Sequence, residues 1–136
     1  MKKSAVFLSI LVVVFAAHVA QVGDISGLRQ KMIEARRTLY VLLDDVKQRG
    51  AEQQQRVKDT ANAVSAMLGG MKAPAGKEAK FKELAATWQA FKKTREEELV
   101  PAILSGKQKE AEKIATGVQN ERFRKMMSLC DELEER

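Results

Sequence analysis

The stretch TWQAFKKTREEELVPAILSGKQKEAE, residues 87–112, decides the fold. Trp88 and Phe91 extend an apolar row that begins at Phe81 and Leu84, and steps of three and four keep all four on one face of an α-helix. This helix is expected to span about Lys77 to Leu104, to kink in its last turn at Pro101, which has no backbone donor, and to close at Ser105-Gly106. A second helix then runs from about Lys107 to Glu135. Its apolar face starts with Ala111, Ile114, Ala115 and Val118 and breaks at the polar run from Gln119 to Arg122. Phe123, Met126, Met127, Cys130 and Leu133 resume it. Two long helices joined at one glycine make a helical hairpin.

Toward the amino terminus a second hairpin emerges. Ile25, Leu28, Met32, Ala35, Leu39, Leu42 and Val46 alternate spacings of three and four, a stripe on a helix from about Asp24 to Arg49. Gly50 is the expected stop, with Lys47 and Arg49 in the last turn, where cations suit the helix dipole. Val57, Ala61, Val64, Leu68 and Met71 carry the next helix from about Ala51. The run GGMKAPAG at 69–76 ends it, because glycine and proline are costly inside a helix. Loop statistics favour four separate helices; the alternative is one continuous helix of about 45 residues through Gly50. The predicted fold is all-α, an antiparallel up-down-up-down four-helix bundle in residues 21–136.

Residues 1–20 read as a signal peptide or an N-terminal membrane anchor. Lys2 and Lys3 precede an uncharged run from Ala5 that ends among the small residues Ala16, Ala17 and Ala20. The run is short against the roughly 20 residues that span a bilayer core, which favours cleavage. The mature chain is therefore expected in the periplasm. The alternative is an inner-membrane anchor holding the bundle there, and membrane contact is expected only through residues 1–20 if they are retained.

Net charge is +6; taking away residues 1–20 removes Lys2 and Lys3 and no acid, so 22 basic residues face 18 acidic ones, a balance of +4. The charges are interspersed, as in Glu110 to Lys113, with no basic stripe, so no nucleic acid is an expected partner. Cys130 is the only cysteine, which rules out an intramolecular disulfide and a C-x-x-C-H haem attachment. The only histidine, His18, lies in the leader, so cleavage removes the side chain most used for metal ligation and general-base chemistry. No nucleophile with a base and an orienting group can be assembled. Neither an enzyme nor a cofactor is expected.

Several features together resemble one family. They are Trp88 and Phe91, the run EEELVPAILSG ending at Gly106, the segment AEKIA beginning at Ala111, and RRxxY at 36–40 in a long helix directly after a leader. The chain resembles, over about residues 5–136, the four-helix-bundle ligand-binding domain of methyl-accepting chemotaxis receptors. Family members continue into a second transmembrane helix, a cytoplasmic linker and a signalling coiled coil, whereas this sequence ends at Arg136. The resemblance thus implies a detached sensor-type module that binds a small anionic solute, as a homodimer or against a receptor-like helical partner. It also implies that Arg36 and Arg37, with Tyr40 beside them, hold a carboxylate, a task suited to paired guanidinium donors. The plain alternative for these arginines is ion pairing with Glu34 or Asp44.

The residues themselves put forward one more candidate. Arg95 and Glu98 fall on the apolar row of the third helix, with Asn120 and Arg122 at a similar level of the fourth. They form either a polar layer lining a pocket or a place where the bundle frays or its stripe rotates onto Leu99. Trp88, Phe81, Phe91, Phe123, Met126 and Met127 are expected to be core rather than a cofactor pocket, and Cys130 a buried small hydrophobe. The competing function is a non-enzymatic structural or chaperone-like periplasmic protein acting through surface contacts. A pocket at the level of Arg36 and Arg95 favours the sensor; a solid core with a broad exposed apolar face favours the scaffold.

Overall fold

Asp24 opens the first helix by capping it: its carboxylate accepts the Gly27 N–H at 2.6 Å, satisfying a donor that the first turn leaves free. Helix α1 spans Ile25–Asp44 in the computed structural model, which describes residues 24–135. Ile25, Leu28, Met32, Ala35, Leu39 and Leu42 are buried along it, joined by Thr38 and Leu43. The helix ends earlier than expected. Asp45 leaves helical geometry, and its carboxylate accepts the Lys47 N–H at 2.9 Å, winding Val46–Gln48 into a 3-10 turn. Val46, expected on the buried stripe, is consequently 71% exposed. Arg49 folds back and donates to the carbonyls of Leu42 and Leu43, both at 2.9 Å, so the expected cationic cap comes from beyond the helix end.

Helix α2, Ala51–Gly70, is separate from α1, and Gly50 stands at its start rather than inside one long rod. Val57, Ala61, Val64 and Leu68 are buried as expected, and Gln53 joins them. Gly69 and Gly70 remain helical, so the break comes later than expected, from Met71 to Lys77. There Gly76, at φ 77°, occupies a turn closed by the Lys77 N–H on the Pro74 carbonyl at 2.9 Å.

The third rod comprises α3 (Glu78–Thr94), a π-helical turn (Arg95–Leu99) and α4 (Val100–Leu104). Pro101 supplies no N–H to the preceding turn, which widens so that the Val100 N–H reaches back to the Arg95 carbonyl. The extra residue shifts the buried face: Glu98 is exposed rather than part of a polar layer, and the stripe rotates onto Leu99, the alternative the sequence allowed. Phe81 is only half-buried, at the rod's beginning. Gly106, at φ 75°, closes the rod as expected.

The fourth rod is two helices, α5 (Gln108–Thr116) and α6 (Val118–Glu134), interrupted at Gly117. The interruption rotates the chain, so Val118 is 41% exposed and Gln119 is buried instead. Phe123, Met126, Cys130 and Leu133 are buried beyond it, together with Leu129. Among the described residues there are four helical rods and no strand, and no helix is long and apolar enough to cross a membrane. The leader expected at residues 1–20 lies outside the described residues.

The rods enclose two apolar clusters. One gathers Leu28, Met32, Ala35, Trp88, Phe91 and Met126 with their neighbours; the other gathers Leu39, Leu42, Val57, Leu99, Ile103 and Ala115 with theirs.

Candidate functional site

Between the two clusters every rod places a polar residue. Thr38 follows Ala35 and precedes Leu39; Thr60 lies between Val57 and Ala61; Thr94 and Arg95 lie between Phe91 and Leu99; Gln119 lies between Ala115 and Phe123. The result is a polar waist. Its members bond across rods: Gln53 Nε2 donates to the Thr38 carbonyl at 2.8 Å, Gln119 Nε2 to the Phe91 carbonyl at 2.8 Å, and Arg122 to Thr94 Oγ1 at 2.7 Å. Among the described residues no buried side-chain nitrogen or oxygen lacks a partner. Satisfying these groups is what makes their burial tolerable.

Arg95 is the centre of the waist. It is 1% exposed, and its guanidinium donates from Nη1 to the Ala35 carbonyl at 2.7 Å and from Nη2 to the Val57 carbonyl at 2.6 Å, tying the third rod to α1 and α2. Burial pulls its pKa down to about 10, with Glu96 opposing the shift, so the side chain is a cation at neutral pH. Among the described residues no carboxylate pairs with it, and the adjacent Glu96 pairs with Lys92 at 3.7 Å. Arg95 borders a cleft of about 440 Å³ between α2 and the third rod.

Arg36, Arg37 and Tyr40 lie elsewhere on the waist. Together with Ile33 and Phe123 they line an open groove of about 310 Å³ on α1 and α6. Arg36 is docked there: its guanidinium lies 4.4 Å from the Phe123 ring centre and 5.0 Å from that of Tyr40, and it donates to Asn120 Oδ1 at 3.4 Å. Arg37 points into solvent with a 73% exposed side chain and pairs with Glu34 at 3.5 Å. The structure thus brings three of the four candidate residues to one groove and puts Arg95 at a different cleft.

The lining of the Arg95 cleft opposite the π turn, Gln54, Lys58 and Asn62, carried no signal in the sequence. These are polar residues on the outer part of α2, indistinguishable from any solvated helix face. Cys130 is fully buried, and burial pushes its thiol up to about 11, so it is protonated and unreactive at neutral pH. Among the described residues no three His, Cys, Asp or Glu side chains converge as metal ligands. Compared with known proteins, the chain matches no family model, no curated protein and no solved structure.

Proposed function

We propose that this chain is a non-enzymatic, sensor-type four-helix bundle that binds a small solute, resembling the ligand-binding domain of a chemoreceptor. Its rods run antiparallel, up-down-up-down. Supporting that arrangement, partners across each interface descend in number on one rod as they ascend on the next. Thr38 meets Thr60 and Gly27 lies against Met67; Trp88 meets Ser65 and Arg95 meets Val57; Phe91 meets Gln119 and Lys80 meets Glu132.

One observation carries the binding reading: a buried cation that has no carboxylate partner among the described residues, at the edge of a cleft of about 440 Å³. Replacing even a buried ion pair by well-packed apolar residues is often neutral or stabilising, so stability alone gives only a modest reason for a charge at Arg95. Ligand sites are concave and mostly apolar with a few fixed polar groups, typically about 300–1,000 Å³. The groove at Arg36, Arg37 and Tyr40 is where the family resemblance leads for a carboxylate or a dimer partner. The scaffold alternative draws on the exposed apolar side chains Val41, Val46, Leu104 and Val118.

Native mass spectrometry of the purified mature chain tests the reading, with a retained small molecule or a solute-dependent dimer expected. A thermal-shift panel of amino acids and organic acids complements it, because a ligand at 100 times its Kd stabilises by about 2.7 kcal/mol. A bare monomer with no shift from any compound would sink the sensor reading in favour of the scaffold. Export to the periplasm belongs to the same proposal and rests on Lys2, Lys3 and the apolar run to Ala20. Amino-terminal sequencing of the periplasmic fraction is expected to find residues 1–20 removed. An intact Met1 in the membrane fraction would favour the anchor, and one in the cytosol would overturn export.

A further inference from the structure

We propose that the cleft between α2 and the third rod binds a small monocarboxylate with an apolar body. The inference rests on the solute-binding reading and names its site and ligand class. Two cations border the cleft, Arg95 and Lys58, against one acid, Glu96. Glu96 is already engaged by Lys92 at 3.7 Å, while Lys58 forms no ion pair among the described residues. One carboxylate neutralises that excess. Asn62, on the same helix one turn beyond Lys58, supplies an amide donor at the wall.

The rest of the lining is Gln54 and three apolar side chains, Val57, Val100 and Leu104. Leu104 is 43% exposed, a large side chain left in water that the apolar body of a ligand would cover. Arg95 is 1% exposed, so it acts on the bound anion through its charge rather than by direct contact. Its two bonds to the carbonyls of Ala35 and Val57 fix the charge before the ligand arrives, which spares the ordering cost of a flexible cation. The π turn that begins at Arg95 is of a kind that frequently sits at functional sites. The groove on α1 offers less, because Arg37 is paired with Glu34 and Arg36 is held by Asn120, Tyr40 and Phe123.

Benzoate and its neutral analogue benzamide test the proposal by amide chemical-shift titration of the mature chain. Benzoate is expected to move the signals of Gln54, Lys58, Asn62 and Val100, and benzamide to bind at least about tenfold more weakly. Lys58→Glu, at an exposed position, should weaken benzoate by at least about tenfold while leaving the urea midpoint and Trp88 emission unchanged. Equal affinity for both compounds, or no effect of Lys58→Glu, would overturn the carboxylate assignment. Shifts confined to Ile33, Tyr40 and Phe123 would move the site to the α1 groove, overturning this inference and sparing the binding reading. Absence of any benzoate-induced shift overturns it too, and solute retained in the native mass spectrum then shows whether the wider reading survives.

Discussion

Arg95→Met separates the charge at the waist from the volume it fills. Burial has displaced the guanidinium pKa to about 10, a disadvantage for the charged form of about 3 kcal/mol. Against that stand two charge-assisted bonds to carbonyls, at 2.7 and 2.6 Å, each contributing about 1.5–3 kcal/mol. The two accounts nearly cancel, leaving the ion ahead of an apolar chain by between nothing and about 3 kcal/mol. Methionine fills most of the same space, and the Ala35 and Val57 carbonyls keep their places in the backbone ladders of α1 and α2. Arg95→Met is therefore expected to lower stability by only about 1–2 kcal/mol, and Arg95→Ala, which leaves a cavity, by about 3–5 kcal/mol. Urea unfolding followed by Trp88 fluorescence measures both, since Trp88 is fully buried with its indole N–H on Ser65 Oγ at 3.0 Å. If Met costs as much as Ala, the guanidinium bonds are what hold the rods together, and the case for a functional charge fails. If Met is nearly silent in stability yet loses benzoate, the charge is there for the ligand.

Trp88→Ala should cost about 3–5 kcal/mol, because the ring packs 5.6 Å from Phe91 in the middle of the larger cluster; native emission that is red-shifted and easily quenched would contradict that placement. Gly117→Ala would put a Cβ 2.8 Å from the Lys113 carbonyl oxygen, a backbone atom that cannot swing aside, so a loss of about 1–3 kcal/mol is expected. An unchanged urea midpoint would show the α5–α6 bend to be adjustable. Cys130 gives a pH signature: its thiol is raised from 9.0 to about 11 in the folded chain, so the native state keeps a proton that the unfolded state releases. That contribution is intact below pH 9 and falls by up to about 1.4 kcal/mol per pH unit between about pH 9 and 11. Cys130→Ala should flatten this part of the stability profile, and identical alkaline profiles would remove the thiol as its cause.

Where the chain is a regular helix, the period of its apolar residues was enough to read it. Leu28, Met32, Ala35, Leu39 and Leu42 lie where spacings of three and four put them, as do Val57, Ala61, Val64 and Leu68. A local bond resets the phase at three places, of which only the rotation onto Leu99 was among the outcomes the sequence put forward. At Asp45 a side-chain cap outcompeted another helical turn and carried Val46 into solvent. At Pro101 the missing donor widened the turn before it, so Leu99 rather than Glu98 faces inward. At Gly117 the backbone broke, exchanging Val118 for Gln119. Pro101 was a visible signal whose direction was not: a proline announces an unpaired carbonyl but not whether the rod kinks, ends or widens. The candidate site shows the same limit. Arg95 stood out as a charge on an apolar row, whereas Lys58 and Asn62 become informative only once α2 lies across from the π turn.

The waist sharpens the choice between a sensor and a scaffold. Each apolar cluster draws residues from all four rods, so either could be extended by ordinary core residues at the positions of Thr38, Arg95 and Gln119. The chain instead seats a cation, three threonines and two glutamines there or beside it, and satisfies each with backbone carbonyls or a short side-chain network. Such a network is tolerated only when every member is satisfied, and even then it adds little net stability over an apolar layer. Conformational register is one use for it; a prepared charge beside a cleft is the other. They differ in what Arg95→Met does. Loss of register would give the variant a broadened unfolding transition and a reduced m-value with exposed apolar surface, whereas loss of a prepared charge leaves a cooperative transition and removes only the response to an anion.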